Sequence, residues 1–146
     1  MEKSLSDGLP LPQRYGAIAT IIIGISMAVL DGAIANVALP TIASDLHASP
    51  ASSIWIVNAY QIAIVISLLS FSFLGDMFGY RRVYQCGLVV FTLTSLFCAL
   101  SDSLHMLTLA RIAQGFGGAA LMSVNTALIR LIYPQRHLGR GMGINS

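Results

Sequence analysis

Four long apolar segments, separated by short polar connections, constrain this chain more than any other feature. They cover about residues 15–39, 53–74, 83–100 and 106–129. An α-helix needs about 17 to 25 mostly apolar residues to cross a hydrocarbon core about 30 Å thick, and each segment has such a length. Only 10% of the 146 residues are charged, whereas a soluble domain has about 25%. We therefore predict an all-α membrane protein with four transmembrane helices.

Proline and polar residues set the expected ends of these segments. Residues 1–14 are polar and contain two prolines, so we expect a short cytoplasmic lead-in before a partial N-terminal transmembrane half over residues 15–146. Pro40 is predicted to end the first helix, because proline has no N–H for a helical hydrogen bond. The first segment is longer than the apolar core of a signal peptide, which has about 7 to 15 residues. We therefore do not expect this segment to be a cleaved signal peptide. Residues 141–146 resemble the start of a fifth helix, and we interpret the chain as truncated there.

The Lys and Arg residues are distributed unevenly among the polar segments. The connections between helices one and two and between helices three and four contain none. Cytoplasmic loops of membrane proteins carry an excess of Lys and Arg, so we predict a cytoplasmic N-terminus and a multi-pass protein of the bacterial inner membrane. Seven of the eight basic residues lie on the predicted cytoplasmic side: Lys3, Arg14, Arg81, Arg82, Arg130, Arg136 and Arg140.

The sequence also argues against several classes of function. A net charge of +2 without a basic stripe does not suit nucleic-acid binding. His47, His105 and His137 lie in separate connections, so we expect neither a metal site nor a cofactor. Cys86 and Cys98 are twelve residues apart in one predicted helix, about 18 Å, which is too far for a disulfide. The sequence contains no organised nucleophile-and-base or phosphate-binding motif, so we do not expect an enzyme.

Two charged residues lie inside predicted transmembrane helices. Asp31 is in the first helix and Arg111 in the fourth, at depths of about 12 Å and 8 Å from the outer helix ends. A charge at the membrane centre costs about 2.5 to 3.5 kcal/mol on insertion scales, so such residues usually pair or line a path for ions. If the two helices are neighbours, Arg111 would stabilise the Asp31 anion while burial would disfavour it. A proton-binding site needs that balance; a static buried pair is the alternative.

Small residues recur every four positions on the first and fourth helices. They include Gly16, Gly24 and Gly32 on the first helix and residues 115–127 on the fourth. Such ridges allow helices to approach closely in lipid, so we predict close packing of both helices.

Polar side chains within the helices form a further group of candidates. Asn58, Tyr60 and Gln61 lie about one-third of the way through the second helix, and they either line a substrate cavity or bond to neighbouring helices. The candidates for a substrate cavity are Asn36, Asn58, Gln61 and Gln114.

The turn after the second helix resembles a motif of a known transporter family. Residues 72–82, SFLGDMFGYRR, are similar to the loop between helices two and three of the major facilitator superfamily, which follows the pattern G-x-L-a-D-r-x-G-r-K/R. Leu74, Asp76, Gly79 and Arg81 agree with that pattern. One glycine and two basic residues of the pattern are replaced here, by Ser72, Met77 and Tyr80.

Two further stretches resemble the same family. Residues 107–120, LTLARIAQGFGGAA, are similar to its fourth-helix pattern l-x-x-x-R-x-x-q-G-x-g-a-a, with Arg111, Gln114, Gly115 and Gly117 in register. Residues 30–40, LDGAIANVALP, resemble the first-helix signature of the fourteen-helix drug:proton antiporter branch. The resemblance implies the first four helices of a six-helix half of a major facilitator bundle.

The resemblance also implies roles that the spacing of the residues does not establish. It implies proton coupling by Asp31 and Arg111. Gating between inward-facing and outward-facing states would be carried out by residues of the inner turn: Asp76, Gly79, Arg81 and Arg82.

The implied function is proton-coupled efflux of drug-like or other small amphiphilic compounds by the full-length parent. Its partners would be the small-molecule substrate, protons, the lipid bilayer and the remaining transmembrane helices. The alternatives are a stand-alone four-helix oligomeric membrane protein and an inactive remnant of a transporter.

Overall fold

The chain folds into four α-helices in the computed structural model, which describes residues 10–132. Each helix is long and apolar enough to cross a membrane. The predicted all-α membrane architecture is therefore confirmed for the described residues. The predicted fifth segment and the predictions for Lys3, Arg136, His137 and Arg140 lie outside them. The helices are α1 Leu11–Asp45, α2 Pro50–Phe78, α3 Tyr80–Ala99 and α4 Leu104–Ile132.

Helix α1 is longer at both ends than the apolar pattern predicts. Residues 11–14, predicted as part of the lead-in, form its first turn, and the helix continues through Pro40 to Asp45. The prediction that Pro40 ends this helix is wrong, because a membrane helix tolerates the loss of one backbone hydrogen bond at a proline. The helix ends where Leu46 N–H bonds to the Ile42 carbonyl and His47 adopts a positive φ of 49°. Its 35 residues extend about 52 Å, so the helix is longer than a hydrocarbon core is thick.

The other three helices begin and end within four residues of the predicted segments. Helix α2 starts with Pro50 in its first turn, where the missing N–H costs nothing. Ser49 caps this end, because its Oγ accepts a hydrogen bond of 3.2 Å from the Ser52 N–H.

Helix α4 lies at the centre of the fold and packs against both α2 and α3. Its glycines make these contacts possible. A Cβ atom at Gly115 would lie 2.7 Å from the Tyr60 carbonyl oxygen on α2, and one at Gly117 would lie 2.7 Å from the Phe91 backbone nitrogen on α3. The predicted close packing of the fourth helix is therefore confirmed, and Leu121 is among its fully buried side chains.

Helix α1 makes fewer contacts with the rest of the fold than α2, α3 and α4 make with one another. The Tyr84 hydroxyl of α3 lies 3.2 Å from the carbonyl oxygens of both Thr20 and Ile21, close to Gly24. Gly16 and Gly32 have open space where a Cβ would stand. Among the three glycines of the predicted ridge, only Gly24 makes a close contact, which is with side chains of α3.

Candidate functional site

An ion pair joins α1 to α4 inside the bundle. Arg111 Nη1 donates a hydrogen bond of 2.5 Å to Asp31 Oδ2. The Arg111 side chain is 4% exposed, whereas that of Asp31 is 23% exposed. The structure therefore brings together the two charged residues that the sequence placed at comparable depth. Of the two side chains, only that of Asp31 remains partly exposed.

Gln114 completes the site from the same helix as Arg111. Its Nε2 donates to Asp31 Oδ1 at 2.8 Å and to Ser95 Oγ at 2.7 Å. Its Oε1 accepts a bond of 2.6 Å from Arg111 Nη1 and a longer contact of 3.6 Å from Cys98 Sγ. Gln114 is 0% exposed, and its amide is bonded to both members of the ion pair. Both oxygens of Asp31 are consequently held by donors from α4.

Local helix geometry explains why these side chains meet. Arg111 and Gln114 are three residues apart on α4, and Ser95 and Cys98 are three residues apart on α3. Residues at this spacing share one face of a helix, so one turn of α3 faces one turn of α4. Asp31 enters between them from α1. A buried charge is stable only when it is paired and hydrogen-bonded, and the network meets both conditions for Asp31.

Tyr60 of α2 supports Arg111 from the other side. The guanidinium carbon of Arg111 lies 4.3 Å from the centroid of the Tyr60 ring, which is a cation–π distance. Within the described residues, the Tyr60 hydroxyl and Arg111 Nε are buried without a hydrogen-bond partner. Tyr60 was among the polar residues noted in the second helix, but its contact with Arg111 was not predicted, and Ser95 was not a candidate. Contacts between different helices leave no spacing signal along the chain.

The other three candidates for a substrate cavity lie apart from the ion pair. Asn36, Asn58 and Gln61 are exposed, and none of them lines the cavity beside Asp31 and Arg111. Asn36 Nδ2 donates a bond of 3.0 Å to the Gly32 carbonyl of its own helix. Of the four candidates for a substrate cavity, only Gln114 therefore contacts the charged residues.

The turn between α2 and α3, predicted to be the inner turn, consists of a single residue, Gly79. Gly79 has a φ of 93°, a conformation that favours glycine, and α3 begins at the next residue. The Asp76 carboxylate accepts a hydrogen bond from the Tyr80 hydroxyl. Arg81 and Arg82 are exposed. The position at which the family pattern has a second basic residue is thus occupied by a phenol that binds the acid of the turn.

Of the two members of the ion pair, only Asp31 is chemically suited to exchange a proton. A carboxylate can take up and release a proton, whereas an Arg side chain stays protonated in proteins. Asp31 is also the more exposed partner. Among residues 10–132, no cluster of three or more His, Cys, Asp or Glu side chains is arranged to hold a metal ion.

Comparison with known proteins identifies one family and several relatives. A model described as the Major Facilitator Superfamily matches residues 21–146. The chain is 88% identical over 146 residues to the "Uncharacterized transporter YebQ" of Escherichia coli K12, covering 100% of this chain and 32% of that protein. It is 34% identical over 134 residues to the "Riboflavin transporter RibZ" of Clostridioides difficile, covering 92% and 29%. It is 35% identical over 137 residues to the "Tetracenomycin C resistance and export protein" of Streptomyces glaucescens, covering 94% and 25%. The chain thus spans about a third or less of the length of these relatives.

Proposed function

Because the chain belongs to the Major Facilitator Superfamily, we propose that the whole transporter exchanges protons for small amphiphilic or cationic compounds across the bacterial inner membrane. The membrane-length helices and the relatives named as transporters support transport as the general activity. The relative named for tetracenomycin C export supports efflux of an organic compound. In this proposal no covalent bond of the substrate is made or broken.

The observation that carries the proposal is the buried contact between Asp31 and Arg111. A proton taken up by Asp31 would neutralise its carboxylate and weaken the charged hydrogen bonds to Arg111 and Gln114. Arg111 would then remain as a buried charge without its counter-ion, which costs several kcal/mol in a low-dielectric interior. Helix α1 has few other contacts with the bundle, so its position relative to α4 is the feature that protonation would change.

The groups around Asp31 define what its protonation would affect. Arg111 faces it from α4, and Cys98 of α3 and Tyr60 of α2 are the other titratable side chains that contact the network. Of these, Arg111 alone carries a charge that stabilises the Asp31 anion. Proton uptake would therefore act mainly through the contact between Asp31 and Arg111.

Residues of the inner turn are proposed to serve gating. Asp76, Gly79, Arg81 and Arg82 form or border the one-residue turn between α2 and α3, with the charged side chains exposed. Exposed charges at a helix end are available to bind another part of the transporter in one state and release it in another. Asn36, Asn58 and Gln61 are exposed polar groups on α1 and α2, available to a substrate or to further helices.

The test compares Asp31→Asn with the unchanged full-length transporter in membrane vesicles. Accumulation of ethidium, tetraphenylphosphonium and riboflavin, driven by an imposed pH gradient, should be lost in Asp31→Asn because asparagine cannot bind the proton. Asp102→Asn is the matched control, since Asp102 is exposed in the connection between α3 and α4. This control should transport at the wild-type rate.

Two results would contradict the proposal. One is transport at the wild-type rate by Asp31→Asn under the pH gradient. The other is the absence of gradient-driven transport of all three probes by the unchanged protein, which would reject the proposed substrate class.

A further inference from the structure

A cavity of about 380 Å³ extends from the ion pair to one end of the bundle. Asp31 and Arg111 line it at its deep end. Asp45 and Leu46 at the end of α1, and Ser101 after α3, line it at the other. This end carries the connection between α1 and α2 and that between α3 and α4, which the distribution of basic residues predicts to lie outside the cell. The cavity thus links the partly exposed carboxylate to the predicted outer surface.

One face of α1 forms a continuous wall of this cavity. Residues three and four positions apart lie above one another on a helix, and the lining residues of α1 follow that spacing from one carboxylate to another. The distance along the helix from Asp31 to Asp45 is about 21 Å at 1.5 Å per residue. Small side chains in the middle of this face keep the space open. The six lining residues are Asp31, Ile34, Ala35, Ala38, Ile42 and Asp45.

The opposite wall comes from the other three helices. Ile56 of α2 and Leu107 of α4 supply apolar surface, and Ala99 of α3 is another small residue. Cys98 and Ser101 add polar atoms near the end of α3. One water occupies about 30 Å³ in the liquid, so the cavity has room for a chain of several waters between polar groups at its two ends.

We propose that this cavity is the route by which water and protons reach Asp31 from the outer end of the bundle, with Asp45 at its entrance. A hydronium ion entering the cavity would transfer its proton to the Asp31 carboxylate and leave as water, so no other reactant is needed. This inference rests on the proposed proton-coupling role of Asp31. It adds that the route lies among these four helices, along α1.

Accessibility of Cys98 tests the route without relying on transport. In the full-length transporter with its cysteines replaced except Cys98, a small, charged, membrane-impermeant thiosulfonate reagent added from the outer side should modify the thiol. Ala38→Phe places a large side chain on the α1 face of the cavity and should slow this reaction at least about tenfold, because modification needs a solvated, accessible thiolate. Ala38→Leu, a smaller change, should slow it less.

Two matched controls belong to this experiment. Val37→Phe adds the same side chain at the neighbouring position, which is 82% exposed and absent from the cavity wall, and should leave the rate of Cys98 modification unchanged. A second protein that retains only Cys86, which lies on the same helix in an apolar groove away from this cavity, should not react.

Proton flux separates the failure of this inference from the failure of the proposed function. Ethidium-driven proton movement in liposomes should fall severalfold in Ala38→Phe and stay unchanged in Val37→Phe. An unreactive Cys98, equal effects of the two Phe substitutions, or an unchanged proton flux in Ala38→Phe would overturn the route. Proton flux that persists in Asp31→Asn would instead reject the proposed role of Asp31, and with it the inference.

Discussion

Arg111 is held by contacts on several sides at once. Its Nη1 bonds to both Asp31 and Gln114, and its planar guanidinium lies over the ring of Tyr60. A Lys ammonium has the same charge but neither the planar shape nor the fixed directions of the donors. A positive charge at position 111 is therefore not sufficient to keep these contacts.

We predict that Arg111→Lys lowers gradient-driven transport by about tenfold or more. Loss of one hydrogen bond to a charged group costs about 1.5 to 3 kcal/mol, and about 1.4 kcal/mol corresponds to a tenfold change in rate. Initial rates of ethidium transport in vesicles measure the effect. Arg130→Lys, at an exposed position in the last turn of α4, is the control and should transport normally. Equal rates in the two variants would mean that only the charge of Arg111 matters.

Several residues of the site could be found from sequence, and others could not. Asp31 and Arg111 were visible because a charge inside an apolar segment is costly. Gln114 could be identified as part of the fourth-helix pattern and as a candidate for a substrate cavity. Its bonds to Asp31 and Ser95 could not be predicted, since they depend on contacts between different helices. Tyr60 was noted as a polar residue of the second helix, but its contact with Arg111 was not predicted, for the same reason.

At the level of the helices, the glycines of α4 decide how the bundle packs. A Cβ at Gly117 would lie 2.7 Å from the backbone nitrogen of Phe91, and backbone atoms cannot move aside as a flexible side chain can. A Cβ at Gly16 of α1 would meet nothing within 4 Å. The same substitution should therefore have different effects at these two positions.

We predict that Gly117→Ala destabilises the purified transporter by about 1 to 3 kcal/mol, the usual cost of overpacking a core. Gly16→Ala should leave stability unchanged or raise it slightly, because alanine favours a helix by about 1 kcal/mol over glycine. Thermal unfolding in detergent compares the two variants with the unchanged protein. Equal melting temperatures for Gly117→Ala and Gly16→Ala would show that α3 and α4 are not in close contact.

The ends of the helices show where a sequence pattern loses its predictive value. Apolar length located all four helices, since a span of the membrane needs about 20 such residues. It did not locate the end of α1, because residues 41–45 are mostly small or polar and yet remain helical up to Asp45. The central position of α4 was also not predictable, because many small residues on a helix do not specify which neighbours they contact.

For the whole molecule, the proposed proton route depends on which end of the bundle faces the outside of the cell. The one-residue turn at Gly79 and the connection around Ser101 lie at opposite ends of α3. We predict that a fluorescent protein fused after Arg82 is active and that alkaline phosphatase fused there is not, because Arg81 and Arg82 favour the cytoplasm. Fusions after Ser101 should give the reverse pattern. The opposite outcome at both positions would invert the proposed orientation and the direction of the proton route.

Direct measurement of proton movement tests the role of the contact between Asp31 and Arg111 in the whole molecule. The full-length transporter is reconstituted in weakly buffered liposomes with a pH-sensitive dye, and ethidium is added on one side. We predict proton movement opposite to that of ethidium for the unchanged protein. For Asp31→Asn we predict none, although this variant should still exchange labelled for unlabelled ethidium, because that exchange needs no net proton transfer. Proton movement at the wild-type rate in Asp31→Asn would contradict the proposed role of Asp31.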